Sequence, residues 1–173
     1  MLQIPRERTF QIVGGIGDEA QKVINQIAEA RDKYPDEWLN LMICSGGGNA
    51  TPFFAAYDIL RGLSRDKLQT VCIGACSSMA LIVFLAGERR IISPNATIFI
   101  HEITFSKNFQ CVTYEVLRGY LDVLRLDTEM YRQIVAERSR RKIEEVEGWM
   151  KKNQVFTAVE SIRHNLAHEV LSV

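Results

Sequence analysis

Residues Val71–Gly87 read VCIGACSSMALIVFLAG. An apolar run meets a glycine, then small residues and the adjacent hydroxyls of Ser77 and Ser78, then a second apolar run suited to full burial. This is the pattern of a strand, Thr70–Gly74, handing over to a buried helix that begins at the serines. The first turn of a helix has unsatisfied N–H groups and the positive end of the helix dipole. The serines there either cap the helix or offer one hydroxyl as a nucleophile.

Outward from this stretch the chain alternates β-like and helix-like segments. Thr9–Val13 (TFQIV) reads as a strand, followed by a helix capped at Asp18 and stopped at Tyr34-Pro35. Leu39–Cys44 (LNLMIC) is a second strand, ending in Ser45-Gly46-Gly47-Gly48-Asn49. Thr51-Pro52 opens the next helix, the hydroxyl as cap and the proline at the first helical position. Arg90–Ile92 and Thr97–Ile100 are further strands, the latter running into His101. A long amphipathic helix spans about Thr113–Arg138, with more apolar surface than one side of a helix buries in its own domain. A short helix covers Lys142–Met150, and Thr157-Ala158-Val159-Glu160 forms a capping box for the last helix. Asn165 stands where that helix needs a left-handed stop, and Glu169–Val173 is the closing strand. Repeated ββα/βα units of this kind build an α/β fold with a largely parallel sheet, here as a single domain over residues 1–173.

Composition narrows the function. Hydrophobic residues make up 47% of 173 and charged ones 24%, the balance of a chain that buries a core. Lys plus Arg and Asp plus Glu both number 21, so no excess of positive charge points to nucleic acid or an anionic membrane. The basic stretch Arg138–Lys142 reads as a solvated helix boundary. The N-terminus MLQIPRERTF has no apolar core of a leader peptide, and the expected location is cytoplasmic. The cysteines Cys44, Cys72, Cys76 and Cys111 form no CxxC pair, so neither a metal nor a cofactor is expected.

In a parallel sheet, loops at the carboxyl ends of strands carry the site. Three such loops stand out: the glycines after the second strand, the serines after the third, and His101 after the strand ending at Ile100. Without a lysine after the glycines, a phosphate-binding P-loop is excluded. A serine alone suits a cap and a histidine alone suits an ordinary buried ring. Donor loop, serine and histidine together are the parts of an acyl-transfer site.

The stretches SGGGNATPFFAAYDIL, CIGACSSMALIVFLAG and SPNATIFIHE resemble the ClpP family, proteolytic subunits of Clp proteases in the ClpP/crotonase superfamily. The resemblance implies a ClpP/crotonase-like fold with a protruding handle over about residues 102–138. It implies a serine endopeptidase acting on unfolded polypeptides or short peptides. Ser78, immediately before Met79, would be the nucleophile and His101 the general base. The backbone N–H groups of Gly48 and Met79 would form the oxyanion hole. Asn153 occupies the position of the family's aspartate, so an amide would orient His101 without the charge that stabilises imidazolium. As partners the resemblance implies a homo-oligomeric ring, with stacked rings joined through the handle, and a Clp-type ATPase. The near absence of chain before the first strand counts against the ATPase. Two alternatives stay open: a catalytically silent ring subunit, and a crotonase-type acyl-CoA enzyme using the same two-donor oxyanion hole.

Overall fold

In the computed structural model, residues 5–15, 18–64, 67–104 and 111–172 are described. The strands are β1 (Thr9–Val13), β2 (Leu39–Ser45), β3 (Leu68–Ser77), β4 (Arg89–Ile92), β5 (Thr97–Ile100), β6 (Gln154–Phe156) and β7 (Glu169–Val170). The α-helices are α1 (Asp18–Lys33), α2 (Ala50–Ser64), α3 (Ala80–Leu85), α4 (Tyr114–Ser139), α5 (Ile143–Lys151) and α6 (Ala158–Arg163). The parallel order β1-β2-β3-β4-β7 forms the main path, and β5 joins β3 in parallel and β6 in antiparallel fashion. The expected α/β fold with its largely parallel sheet is present.

The strand β3 is longer than its apolar run suggests, and its length organises the site. Its first half, Gln69–Cys72, pairs with β4; its second half, Ala75–Ser77, pairs with β5. Between them Gly74 has a φ of 79° and the register with β2 slips between Ile43 and Ser45. A bulge there bends the strand and lets it serve two neighbours in turn. The expectation that the helix starts at the serines is therefore corrected. The strand continues through Ser77, and α3 begins at Ala80 behind Met79, with no side-chain cap. The backbone of Ser77 goes to the ladder with Phe99 instead.

All six residues of α3 are buried, so this short helix is the centre of the core rather than a surface layer. Its C-terminal carbonyls are met by a half-buried cation: Arg138 Nε donates to Leu85 O at 2.8 Å and its Nη2 to Gly87 O at 2.9 Å. Arg138 is thus a tether between α3 and α4, not part of a solvated boundary. Arg90, 3% exposed, donates to Leu166 O, Asn165 O and Arg138 O at 2.9–3.1 Å. Burial and the neighbouring Arg138 and Arg140 hold its pKa down to about 9. Arg31 plays the same part elsewhere, donating to the carbonyls of Leu63, Tyr34, Pro35, Glu37 and Lys67. A guanidinium satisfies several orphan carbonyls at once because its donors lie in a fixed fork.

Other local differences have simple causes. Helix α2 starts at Ala50, capped by Asn49, whose Oδ1 accepts from Thr51 N at 3.3 Å; Pro52 sits in the first turn, where no N–H is needed. Asp18 opens α1, and its side chain lies outside the described residues. The capping box at Thr157 and Glu160 is complete, and Asn165 has the left-handed φ of 55°. The three-residue β6 carries no periodic pattern and was not foreseen. The last strand, expected to reach Val173, is limited to Glu169–Val170, where it pairs with β4; Val173 itself lies outside the described residues.

Helix α4 divides in two. Tyr131, Val135 and Ala136 are buried in the core with Ile134 packed against them, so this half needs no partner. The first half projects: Val116, Leu117, Leu121, Val123 and Leu126 are exposed by 38–54%. Most of the surplus of apolar surface read from the sequence lies on this half; Met130, 41% exposed, is the exception in the second.

Candidate active site

Neighbouring parallel strands end side by side, so the carboxyl ends of β3 and β5 bring Ser78 and His101 together. The backbone of Ser78 is docked onto β5 by its N–H, which donates to Phe99 O at 2.8 Å. Its carbonyl accepts from Leu81 N at 3.1 Å and from the Tyr131 hydroxyl at 3.4 Å. These contacts hold Ser78 at a φ of 53°, a left-handed conformation uncommon for a residue with a Cβ. The sharp turn ejects the side chain from the strand direction and points it out of the sheet end, as nucleophile turns require.

The glycine loop passes directly under this turn. Gly47 has a φ of 95°, and a Cβ built there would lie 2.8 Å from Ser78 Cβ and 2.9 Å from Ser77 O. Only glycine allows this approach. Gly47 N–H donates to Ser45 Oγ at 3.1 Å, which fixes the loop from behind. Among the described residues, the turn and loop hydrogen bonds engage neither the Gly48 N–H nor the Met79 N–H. Both residues line the same cleft as Ser78 and His101, a cavity of about 550 Å³. Two unengaged N–H groups beside a hydroxyl are the donor arrangement that receives a developing oxyanion.

His101 Nδ1 lies 2.6 Å from Glu102 O. A carbonyl only accepts, so Nδ1 carries the hydrogen and Nε2 is left as the basic nitrogen. The ring of Phe99 flanks the imidazole at a centroid distance of 5.1 Å. Among the described residues no hydrogen bond joins Ser78 Oγ to His101.

The structure places Asn153 differently from the other four residues. It does not line the cleft, and its side chain is exposed. Its N–H donates to Met150 O at 3.2 Å and its φ is 51°, so it ends α5 in the left-handed conformation that asparagine tolerates better than most residues. The β5–β6 register pairs Ile100 with Gln154. The pairing stops there; its register, continued by one step, would set Asn153 opposite His101, but neither residue belongs to the ladder.

Sequence reasoning missed several contributors. The Glu102 carbonyl, the Phe99 carbonyl and Ser45 Oγ act through backbone geometry or short hydroxyl contacts that carry no sequence signal. Tyr131 falls on the apolar stripe of α4 in the sequence, yet its buried hydroxyl, held well above its ordinary pKa by burial, reaches the Ser78 carbonyl. Asp127, on the cleft wall, was overlooked although a signal existed. It interrupts the stripe Tyr120, Leu124, Tyr131 and Ile134 at helical spacing, where an apolar residue is expected. The stretch after His101 lies outside the described residues over 105–110.

The family model for Clp protease matches residues 1–173, the whole of the sequence. That span includes the glycine loop, the strained serine turn and the strand-end histidine. With its largely parallel α/β sheet and this match, the chain belongs to the Clp protease family.

Proposed function

We propose that this chain is a serine endopeptidase subunit that hydrolyses unfolded polypeptides or short peptides within a homo-oligomeric particle. Ser78 Oγ attacks the peptide carbonyl while His101 Nε2 takes its proton. The N–H groups of Gly48 and Met79 receive the oxyanion. The protonated His101 then gives its proton to the departing amine, leaving an acyl ester on Ser78. Water, activated by His101, cleaves the ester and regenerates the hydroxyl. The observation that carries this reading is the cleft shared by Ser78, Met79, Gly48 and His101, with the imidazole held in the tautomer that makes Nε2 the base.

In this scheme Asn153 acts from across the β5–β6 pair, its amide oxygen taking the Nδ1–H in place of the Glu102 carbonyl when peptide fills the cleft. The projecting half of α4 meets the same half of another copy, which places the clefts inside the assembly. A Clp-type ATPase would feed such a chamber.

A second reading, a silent ring subunit, draws on the absence of a Ser78–His101 hydrogen bond among the described residues and on the exposed Asn153. A fluorophosphonate probe separates the two. The active reading expects labelling that disappears in Ser78→Ala and largely survives in Ser77→Ala. No labelling of the wild-type protein, or equal labelling of Ser78→Ala, overturns it.

A further inference from the structure

The cleft wall opposite the strand ends is built by α4. Tyr120, Val123 and Leu124 supply it with apolar surface, and Ile103 and Met79 continue that surface toward Ser78. Among the lining residues Asp127 is the one carboxylate. It is half-buried, and among the described residues it has neither a hydrogen bond nor an ion pair. Its carboxyl is held above the usual carboxylate range by burial. Among the described residues this acid on an apolar wall lacks a structural partner, and its place is a stripe position of the helix.

Its location relative to the chemistry is fixed by Tyr131, one turn further along α4, whose hydroxyl donates to the Ser78 carbonyl. Side chains four residues apart on a helix are about 5–6 Å apart at Cβ. The carboxylate thus stands roughly one long side chain away from the serine turn, with apolar surface in between. Lys and Arg match that profile, an apolar stem with a charged end.

We propose that Asp127 makes this cleft selective for peptides that carry Lys or Arg at the residue whose carbonyl is attacked. The inference rests on the cleft binding peptide as in the function proposed above, and it adds the class of side chain. The stem packs on Leu124 and Val123, and the cation pairs with the Asp127 carboxylate, which has no other partner among the described residues. Acidic side chains are rejected at the same position by like charge.

The test compares two dye-labelled peptides identical except for one residue, arginine or citrulline, which share shape but not charge. Their affinities are measured by fluorescence anisotropy on the full-length Ser78→Ala protein at low salt, where no turnover interferes. The arginine peptide should bind about tenfold more tightly, the size of one charge-assisted hydrogen bond in a half-open site. Asp127→Asn should abolish the difference, Asp127→Glu should keep most of it, and Asp127→Lys should turn the preference toward a glutamate peptide. Equal affinities, no binding of either peptide, or a preference that survives Asp127→Asn each overturn the proposal. The arginine–citrulline comparison needs no change at residue 127, so a poorly folded variant does not shield it. A protein that discriminates the peptides yet takes no fluorophosphonate at Ser78 supports this inference and refutes the hydrolytic step. Labelling without discrimination does the reverse.

Discussion

Replacing Gly47 by alanine tests the reasoning about the glycine loop and the serine turn in one step. At a φ of 95° a Cβ is strained on its own, by about 1–2 kcal/mol. The methyl would also meet Ser78 Cβ at 2.8 Å, Ser77 O at 2.9 Å and Met79 N at 3.1 Å, all in or beside the serine turn. Nothing flexible is available to yield, so loop and turn must separate by several tenths of an ångström or more. Stability should fall by roughly 2–3 kcal/mol, or about 5–10 °C in Tm for a chain of this size. The larger effect is on chemistry. The proposed oxyanion donors sit on either side of this contact, and misplacing such a site by about 1 Å costs on the order of 100-fold in rate. Fluorophosphonate labelling rates and peptide hydrolysis should both drop by about that factor in Gly47→Ala while the far-ultraviolet dichroism stays native. The control is Gly46→Ala, one residue earlier, where a Cβ meets nothing within 4 Å and no left-handed φ is involved. That variant should label at the wild-type rate. If Gly47→Ala labels within about twofold of wild type, or the two variants lose the same amount, the packing of loop against turn does not set the donor geometry.

Further expectations test other parts of the structure. Asn153→Asp should raise turnover severalfold, because a carboxylate in that place stabilises the imidazolium by charge; unchanged turnover in Asn153→Ala would assign the orientation of His101 to the Glu102 carbonyl alone. His168 accepts the Arg90 N–H at 3.3 Å as a neutral ring, and burial, then Arg90, Arg138, Arg140 and Arg89, push its pKa down to about 4. A depressed folded-state pKa gives stability that is present above about pH 6.5 and lost as pH falls toward 4. Because more than a third of this residue is exposed, screening reduces the loss to about 1 kcal/mol. Urea titrations between pH 7 and 4.5 should show that slope, and His168→Asn should flatten it; identical slopes would remove His168 as the cause. Finally, Leu117→Glu with Leu121→Glu should lower the particle mass in light scattering without unfolding the subunit, since both side chains are exposed on the projecting half of α4. A wild-type monomer at micromolar concentration would refute the interface itself.

What the sequence determined by itself was local and periodic. The alternation of apolar runs with helical stripes is set by burial at two different spacings, and it was enough to name the parallel α/β fold. The capping box at Thr157 and the left-handed Asn165 were legible for the same reason, since each depends on residues within a turn of one another. Ser78, His101 and Gly48 were legible because strand ends in a parallel sheet converge wherever the strands lie. The tertiary structure decided whatever depends on which strand neighbours which. Only the split pairing of β3 with β4 and β5 carries the strand through Ser77 and moves the helix start to Ala80. That same pairing bonds the Ser78 N–H to Phe99, while packing of α4 brings Tyr131 to the Ser78 carbonyl. The tethering of α3 by Arg138, the burial of the C-terminal half of α4 and the Glu102 carbonyl at His101 belong to this second class. Their energies come from contacts between segments far apart in the chain, or from backbone atoms that every residue shares, and no residue type announces either.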